Sequence, residues 1–519
     1  MNIKNYKITA SLFVGLFFVI NPISLIAQDF ANMYNRPGGK KIIPLQCASH
    51  WDWSADVKNN LENMQAMRPY MDGVIFHTGS TYGQPNFAFN NEIWTEESLR
   101  FDELKIIKIK STKFTDNFIL MWGHAQNTDP DFFNDTLWKQ ICKNAVLTGK
   151  AVNVSGSKGI MFDPEFYSPK NTYSPWWYSK TGNFSTSYLK NGKSFSEVQL
   201  KARQRGKEYV QALQTHQPQI TILTTFLYSY VWAYCYDAID KLPASQYALL
   251  GAFADGMIEG LNKNSIIIDG NETSYYSNES RKYVESSDQM DYKFCKYDAP
   301  QILCDSAILK KWKKQGQVAM APYIDYCYNI YLPNSWSFPA YQSKWMTHNI
   351  YNALLTTDQY VWLYVESMDF WKGKNTPADV DVYKDFISAI DKFRNGKSLG
   401  YDMHKPDTTF KFNGNKPAEF INVPKEVNLS ILKKIRSGRK EIITTNIIAN
   451  SYIAKVEYYL NSMSIGMATV APYNLEYTLP SADMTFFARI FLKNGTHYTS
   501  APLFIKKNLL KKKVFKKKP

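Results

Sequence analysis

None of the six cysteines (Cys47, Cys142, Cys235, Cys295, Cys304, Cys327) forms a C-x-x-C pair, which argues against structural zinc and against dithiol redox chemistry. The histidines show no H-x-H or H-E-x-x-H spacing, so no metal centre is expected. A G-x-S-x-G elbow is missing, which disfavours Ser/His/Asp nucleophilic catalysis. No glycine-rich phosphate loop follows the first expected strand, so nucleotide binding is disfavoured and no cofactor is expected. Zinc-finger, helix-turn-helix and RNA-binding signatures are absent as well. Beyond Ile26 no stretch is long and apolar enough to span a bilayer.

The formal net charge of +15 is mostly a property of the ends. Eight lysines lie between Lys506 and Lys518, and Lys4 and Lys7 lie near the start. Without those ten the charge is about +5, unremarkable for a chain of this size. No nucleic-acid partner is implied, and residues 508–519 read as a basic disordered tail.

What the chain does have is aromatic: 15% Phe, Trp and Tyr, with 13 Trp and 35 Tyr. Aromatic faces suit sugar rings, although large cores also consume aromatics. A basic start, an apolar centre from Ile8 to about Ile26 and the small Ala27 describe a secretory signal peptide over 1–27. An uncleaved anchor is the alternative. No Cys stands near the cleavage point to suggest a lipoprotein. Export to the periplasm or the exterior would permit three disulfides, with fifteen pairings open; Cys295 and Cys304 are near enough in sequence to pair, and buried thiols are the other reading. The oligomeric state is left open.

From Lys41 to about Gly400 short apolar runs alternate with amphipathic segments. Strands are expected at Ile42–Cys47, Gly73–His77, Phe118–Trp122, Gly159–Asp163, Ile220–Phe226, Ser265–Asp269, Val318–Pro322 and Tyr360–Val365. Helices are expected at Val57–Met67, Thr136–Leu147, Ser196–Leu213, Tyr247–Leu261, Tyr341–Leu355 and Val382–Phe393. Ser194 with Glu197, and Asn134 before Asp135, are helix-start signals. Eight βα units predict an α/β fold of the (β/α)₈ TIM-barrel type over 35–404, with an open doubly wound sheet as the alternative. A polar linker (405–416) leads to alternating segments at Val427–Ile431, Ile442–Ile447, Ala454–Leu460 and Thr485–Leu492, predicting a β-sandwich over 417–507.

The stretch Gly159-Ile-Met-Phe-Asp-Pro-Glu-Phe-Tyr167 carries the most chemistry. Side chains alternate faces along a strand, so Asp163 and Glu165 project to one side. Acids at the C-terminal end of a buried parallel strand sit where barrel enzymes keep their catalytic groups. Two like charges on one face raise one pKa and supply a proton donor near neutrality. Other strands also end in candidate sugar-site residues. The first runs into His50, Trp51 and Trp53, the second into His77, and the third into Trp122 and His124. Trp176 follows the fourth strand and Tyr228 the fifth. The sixth gives Asp269-Gly-Asn-Glu272 and Tyr275, the seventh Tyr323 and Asp325, the eighth Glu366 and Trp371. A double displacement needs a second carboxylate about 5 Å from the acid. Glu272 and Glu366 are the contenders.

The D-x-E ending followed by Tyr is similar to the catalytic strand of chitinase-like retaining glycosidases. The resemblance implies Glu165 as the acid and Asp163 as the group that orients an acetamido substituent. Lys158 and Met161 stand where that pattern has two further acids. The barrel as a whole resembles secreted TIM-barrel glycoside hydrolases of no particular family. Val456-Glu-Tyr-Tyr-Leu-Asn461, Ile465-Gly-Met, Ala471-Pro-Tyr-Asn and Thr499-Ser-Ala-Pro502 resemble bacterial Ig-like modules appended to such enzymes, which implies a spacer. The expected function is glycoside hydrolysis by carboxylate acid/base catalysis on a carbohydrate substrate. A noncatalytic envelope carbohydrate-binding protein is the alternative from another class, and a metal-dependent hydrolase of polysaccharide substituents is a third.

Overall fold

The computed structural model describes residues 40–505 except 48–51, 80–85, 127, 166, 168–171, 180–187, 189–190, 236–237, 277–283, 328–338, 367, 373–382, 404–419, 423–428, 438–439, 448–451, 461 and 480–483. The expected signal peptide, linker and basic tail, together with His50 and Trp51, lie outside the described residues.

All eight expected barrel strands form: β1 (Lys41–Gln46), β2 (Ile75–Phe76), β3 (Phe118–Trp122), β4 (Gly159–Asp163), β5 (Thr221–Thr224), β6 (Ile266–Asp269), β7 (Gly316–Val318) and β8 (Tyr360–Val365). They form one parallel sheet in chain order, with β8 also paired to β1 in register from Lys41↔Tyr360 to Gln46↔Val365. Between β7 and β8 the seam is held by parallel bridges Met320↔Val361 and Tyr323↔Tyr364, with Trp362 N donating to Met320 O at 3.0 Å. The sheet is therefore a barrel of the TIM type. At that seam regular pairing stops at Val318, although the apolar run predicted a strand to Pro322.

The apolar runs are buried on both faces, as parallel strands require. Ile43, Leu45, Phe118, Leu120, Met161, Leu223, Ile268 and Trp362 fill the barrel interior. The alternate residues Ile42, Ile119, Ile160, Phe162, Ile222 and Leu363 pack outward against the helices. Gly159 is required where β4 meets β5, since a Cβ there would lie 1.6 Å from the Thr221 carbonyl oxygen. The helix at Asp135–Ser155 starts on Asn134, whose side chain accepts from Leu137 N at 3.1 Å. The helix at Phe195–Leu213 starts on a complete Ser194/Glu197 capping box. Helices at Phe101–Lys110, Val284–Lys293 and Ser306–Gln315 are among those outside the expected ranges; in the first, the Lys105-Ile-Ile-Lys-Ile-Lys110 end alternates like a strand, yet Leu104 and Ile107 share a buried helical face.

The bottom of the barrel carries a buried ion pair. Lys296 Nζ lies 2.5 Å from Asp358 Oδ2 and also donates to Gly316 O at 2.9 Å. Asp358 further accepts from Tyr292 OH at 2.6 Å and Val318 N at 2.9 Å.

Beyond the barrel, antiparallel strands occur near all four expected positions. Leu429–Ser437, Lys440–Ile447 and Glu476–Leu479 form one sheet. Ile453–Leu460, Met463–Ala468, Met484–Leu492, His497–Thr499 and Leu503–Ile505 form another. Val456, Tyr458, Phe486 and Ile490 make the latter's core. It docks on the barrel: Ser462 Oγ donates to Thr356 O at 2.6 Å, and Asp402 joins His348 Nε2 at 2.7 Å to Thr499 N at 2.8 Å.

Of the two readings of the cysteines, the described ones take the free-thiol reading. Cys47, Cys142, Cys235, Cys295 and Cys304 are in no disulfide. Cys295 and Cys304 are separated by an intervening helical segment, and Cys295 Sγ instead donates to Asn271 Oδ1 at 3.3 Å.

Candidate active site

At the C-terminal end of β4 the inward-facing row continues from Met161 to Asp163. Asp163 Oδ1 accepts from Glu165 N at 2.9 Å and Thr225 Oγ1 at 3.0 Å, and Oδ2 accepts from Tyr167 OH at 2.8 Å. Asp163 thereby ties the turn after β4 to β5 and fixes the path of the chain into Glu165. Burial pushes the Asp163 carboxyl up, against these three donors. Glu165 is pushed up to about 7, first by burial and then by the Asp163 charge, with the Tyr167 hydroxyl pulling the other way. His124 supports the same residue by donating to its backbone carbonyl, and burial holds the imidazole neutral, down at about 3.

Glu272 arrives from β6. Gly270 has its position where a Cβ would lie 1.9 Å from Thr224 O, and Asn271 takes the left-handed conformation at φ 53° that Asn tolerates. Asp269 holds this turn rather than facing the cavity: it accepts from Asn271 N at 3.0 Å and Ser229 Oγ at 3.2 Å. Glu272 N then donates to Thr225 O at 3.1 Å, so Thr225 touches both acid-bearing turns. The Glu272 carboxylate takes hydrogen bonds from Tyr230 and Tyr275. It is nonetheless pushed well above its ordinary range, by burial and then by the charges of Glu165 and Asp163. That electrostatic coupling joins acids from two different strands in one site.

The third acid, Glu366, follows β8. Tyr323 OH donates to its Oε2, and Asp325 accepts from Glu366 N and from Met368 N at 3.2 Å. Tyr275, Tyr323 and Tyr364 pack into an aromatic wall, with Tyr275 stacked on Tyr364 at 5.0 Å. A second wall runs along the first three strands: His77 lies 4.5 Å from Trp122, Phe87 lies 5.1 Å from Trp122, and His124 lies 5.9 Å from Tyr167.

These groups line one cavity of about 860 Å³. Of the residues expected from the sequence, it gathers Asp163, Glu165, Glu272, Glu366, His77, Trp122, His124, Tyr275 and Tyr323. Five others do not line it. Trp176 is buried against Phe89 and Phe253, its Nε1 donating to Pro164 O at 2.8 Å. Tyr228 points between the helices and donates to Asp255 Oδ1 at 2.5 Å. Trp371 is fully buried against Phe114 and Phe370. Trp53 stacks on His77 at 4.7 Å. Asp325 is fully buried and spends its oxygens on backbone N–H groups. The lining also includes Asp52, which lies in the Ser49–Trp53 stretch after the first strand, and Tyr230, Thr225, Phe87, Tyr364 and Cys47, which were not expected as site residues. Tyr230 had a hidden signal: two residues along a helix from Tyr228, it faces nearly the opposite way.

Among the described residues no three or more His, Cys, Asp or Glu are grouped to hold a metal ion. No described helix is long and apolar enough to cross a membrane.

No family model matches the chain, and no curated protein does. Solved structures with a similar course of the chain include an alpha-amylase from Lactobacillus plantarum at 8% identity and TM-score 0.38, covering 90% of this chain and 99% of that one. They also include Bacteroides uniformis beta-glucuronidase 2 at 9% identity and TM-score 0.33, covering 90% of this chain. This chain spans about half the length of that glucuronidase, 46% of it being covered. A Cellulomonas fimi endo-beta-1,4-mannanase is similar at 11% identity and TM-score 0.31, covering 91% of this chain and 98% of that one. Likenesses this distant carry no argument about the reaction, so the functional reading rests on the cavity itself.

Proposed function

We propose that this protein is a glycoside hydrolase whose catalytic pair is Glu165 and Glu272. The observation that carries this reading is the meeting of the two acids from β4 and β6 in one aromatic-lined cavity, each pushed up by burial and by neighbouring negative charge. Two such carboxyls hold a proton between them near neutrality, which is what glycosidic bond cleavage requires. In this reading the transferable proton is assigned to Glu165, while the two phenol donors on Glu272 oppose the upward push of burial there.

In this mechanism the sugar ring lies against the Tyr275/Tyr364 and Trp122 faces. Glu165 passes its proton to the glycosidic oxygen as the bond to the anomeric carbon breaks. Glu272 meets the positive charge developing at that carbon, as nucleophile or as base toward water. Water supplies the oxygen that replaces the leaving group, and its proton restores Glu165. Asp163, held by three donors, positions Glu165 and keeps its pKa high. Glu366 is held at the wall by Tyr323 and is assigned to substrate contact.

The leader-like first 27 residues support export to the periplasm or the exterior. The resemblance of the C-terminal segments to Ig-like modules supports a spacer role for the antiparallel sheets that follow the barrel.

The test is hydrolysis of a broad panel of aryl glycosides and oligosaccharides by the purified chain. Glu165→Gln is expected to lower kcat by roughly 10²–10⁴-fold while leaving the circular dichroism spectrum unchanged. Full activity of that variant overturns the assignment, and binding without hydrolysis across the panel favours a carbohydrate-binding protein.

A further inference from the structure

Two polar side chains in the cavity have no part in the chemistry above. Asp52 and His77 follow β1 and β2, and His77 N donates to Asp52 O at 2.6 Å, which holds the two residues side by side. Both line the same cavity as Glu165 and Glu272, and both are nearly inaccessible, at 3% and 2% exposure. Asp52 Oδ1 is buried with no hydrogen-bond partner, as is His77 Nδ1. The described donor beside the Asp52 carboxylate is its own backbone N–H. Buried polar groups are normally satisfied, and an orphaned one costs about 1–3 kcal/mol. Among the described residues, neither caps a helix, closes a turn with its side chain or joins an ion pair. A carboxylate rotates about its terminal torsion, so either oxygen can turn to a ligand.

The His77 ring is clamped between Trp53 and Trp122, at 4.7 and 4.5 Å, which fixes its plane at the cavity wall. An uncharged imidazole and an oxygen acceptor beside an indole face are complementary to a sugar ring: hydroxyls at its edge, C–H groups on its face. The charge of the cavity narrows the ring further. The described ionisable groups lining it are carboxyls, imidazoles, phenols and one thiol, and the carboxyls number five: Asp52, Asp163, Glu165, Glu272 and Glu366. Cys47 reports the field they make, its thiol being pushed well up by burial and then by Asp52, Asp163 and Glu366. A uronate or sulfate entering here would add a desolvated negative charge to that field.

We infer that Asp52 and His77 form the hydroxyl-recognition edge of this cavity, and that the ring they hold is an uncharged sugar rather than a uronate or a sulfated sugar. The inference rests on the glycosidase reading for the identity of the site, but it concerns recognition rather than turnover.

The experiment therefore uses binding to the full-length Glu165→Gln chain, measured calorimetrically with cellotriose, mannotriose, xylotriose and galactotriose against trigalacturonate and a sulfated trisaccharide. At least one neutral trisaccharide is expected to bind and the anionic probes are not. Adding Asp52→Asn, or separately His77→Gln, is expected to weaken that binding about 10–100-fold with the melting temperature preserved. Tighter binding of an anionic probe, or neutral binding indifferent to both substitutions, overturns the inference. Asp52-dependent neutral binding in a wild-type chain that hydrolyses nothing sustains the inference and overturns the hydrolase reading. Absence of binding by every neutral probe overturns the inference, while hydrolysis of the glycoside panel by the wild-type chain separately decides the hydrolase reading.

Discussion

The Tyr167 hydroxyl donates to Asp163 Oδ2 at 2.8 Å, across a turn that carries Glu165 between them. Asp163 also receives Glu165 N, so the acid's backbone and its nearest phenol are anchored to one carboxylate. The Asp163 charge raises the Glu165 pKa while the Tyr167 hydroxyl lowers it.

Asp163→Asn keeps the shape of the anchor but removes its charge. The proton on Glu165 is then lost more easily, so the alkaline limb of the kcat profile should move down by roughly one pH unit. A pH–rate profile of the two proteins checks this. A purely structural role would lower the rate without moving the limb.

A general acid with a pKa of about 7 sets the sign of the wild-type profile. Activity should fall above neutrality, about tenfold per pH unit, as Glu165 ionises. In Glu165→Gln the alkaline limb should vanish from the residual rate on an aryl glycoside whose leaving group needs no proton. An unchanged limb in that variant would assign the titration to another group.

The same residue should be a stability liability at high pH. Its folded pKa of about 7 lies above its ordinary value of 4.5, so the native state resists ionisation. The penalty is absent below about pH 4.5 and complete above about pH 7. Glu165→Gln should accordingly match wild type at pH 4 and exceed it by up to about 3 kcal/mol at pH 8. Urea denaturation at the two pH values measures the difference, and equal stabilities at pH 8 would contradict the burial argument.

At the opposite end of the barrel, Lys296 and Asp358 form a pair that is 0% and 1% exposed. Lys296→Met leaves Asp358 charged and buried, with Tyr292 OH and Val318 N as its remaining donors. The expected loss is about 3–5 kcal/mol. Replacing Asp358 by Leu in the same chain should recover part of it, because the orphaned charge rather than the lost attraction dominates. Denaturant midpoints of the single and double variants decide this.

The amino-acid order by itself determined the barrel and the position of its acids. Phe118–Trp122 is apolar throughout and Gly159–Asp163 is apolar until its terminal Asp, and runs this short suit strands buried on both faces. The i and i+2 spacing put Asp163 and Glu165 on one side because strand side chains alternate. The antiparallel segments beyond the barrel were legible for the same reason.

Tertiary structure alone decided which residues share the cavity. Tyr228 and Tyr230 look equivalent in the sequence, yet the helical turn sends one to Asp255 and the other to Glu272. Trp176 and Trp371 follow strands as sugar-binding aromatics do, but the helices and loops packed over them leave no exposed face. The pairing of Glu272 with Glu165 depends on how far each turn reaches past its strand once the cylinder closes. Local periodicity records which face a side chain takes, whereas proximity between strands is a property of the closed sheet, and no single segment encodes it.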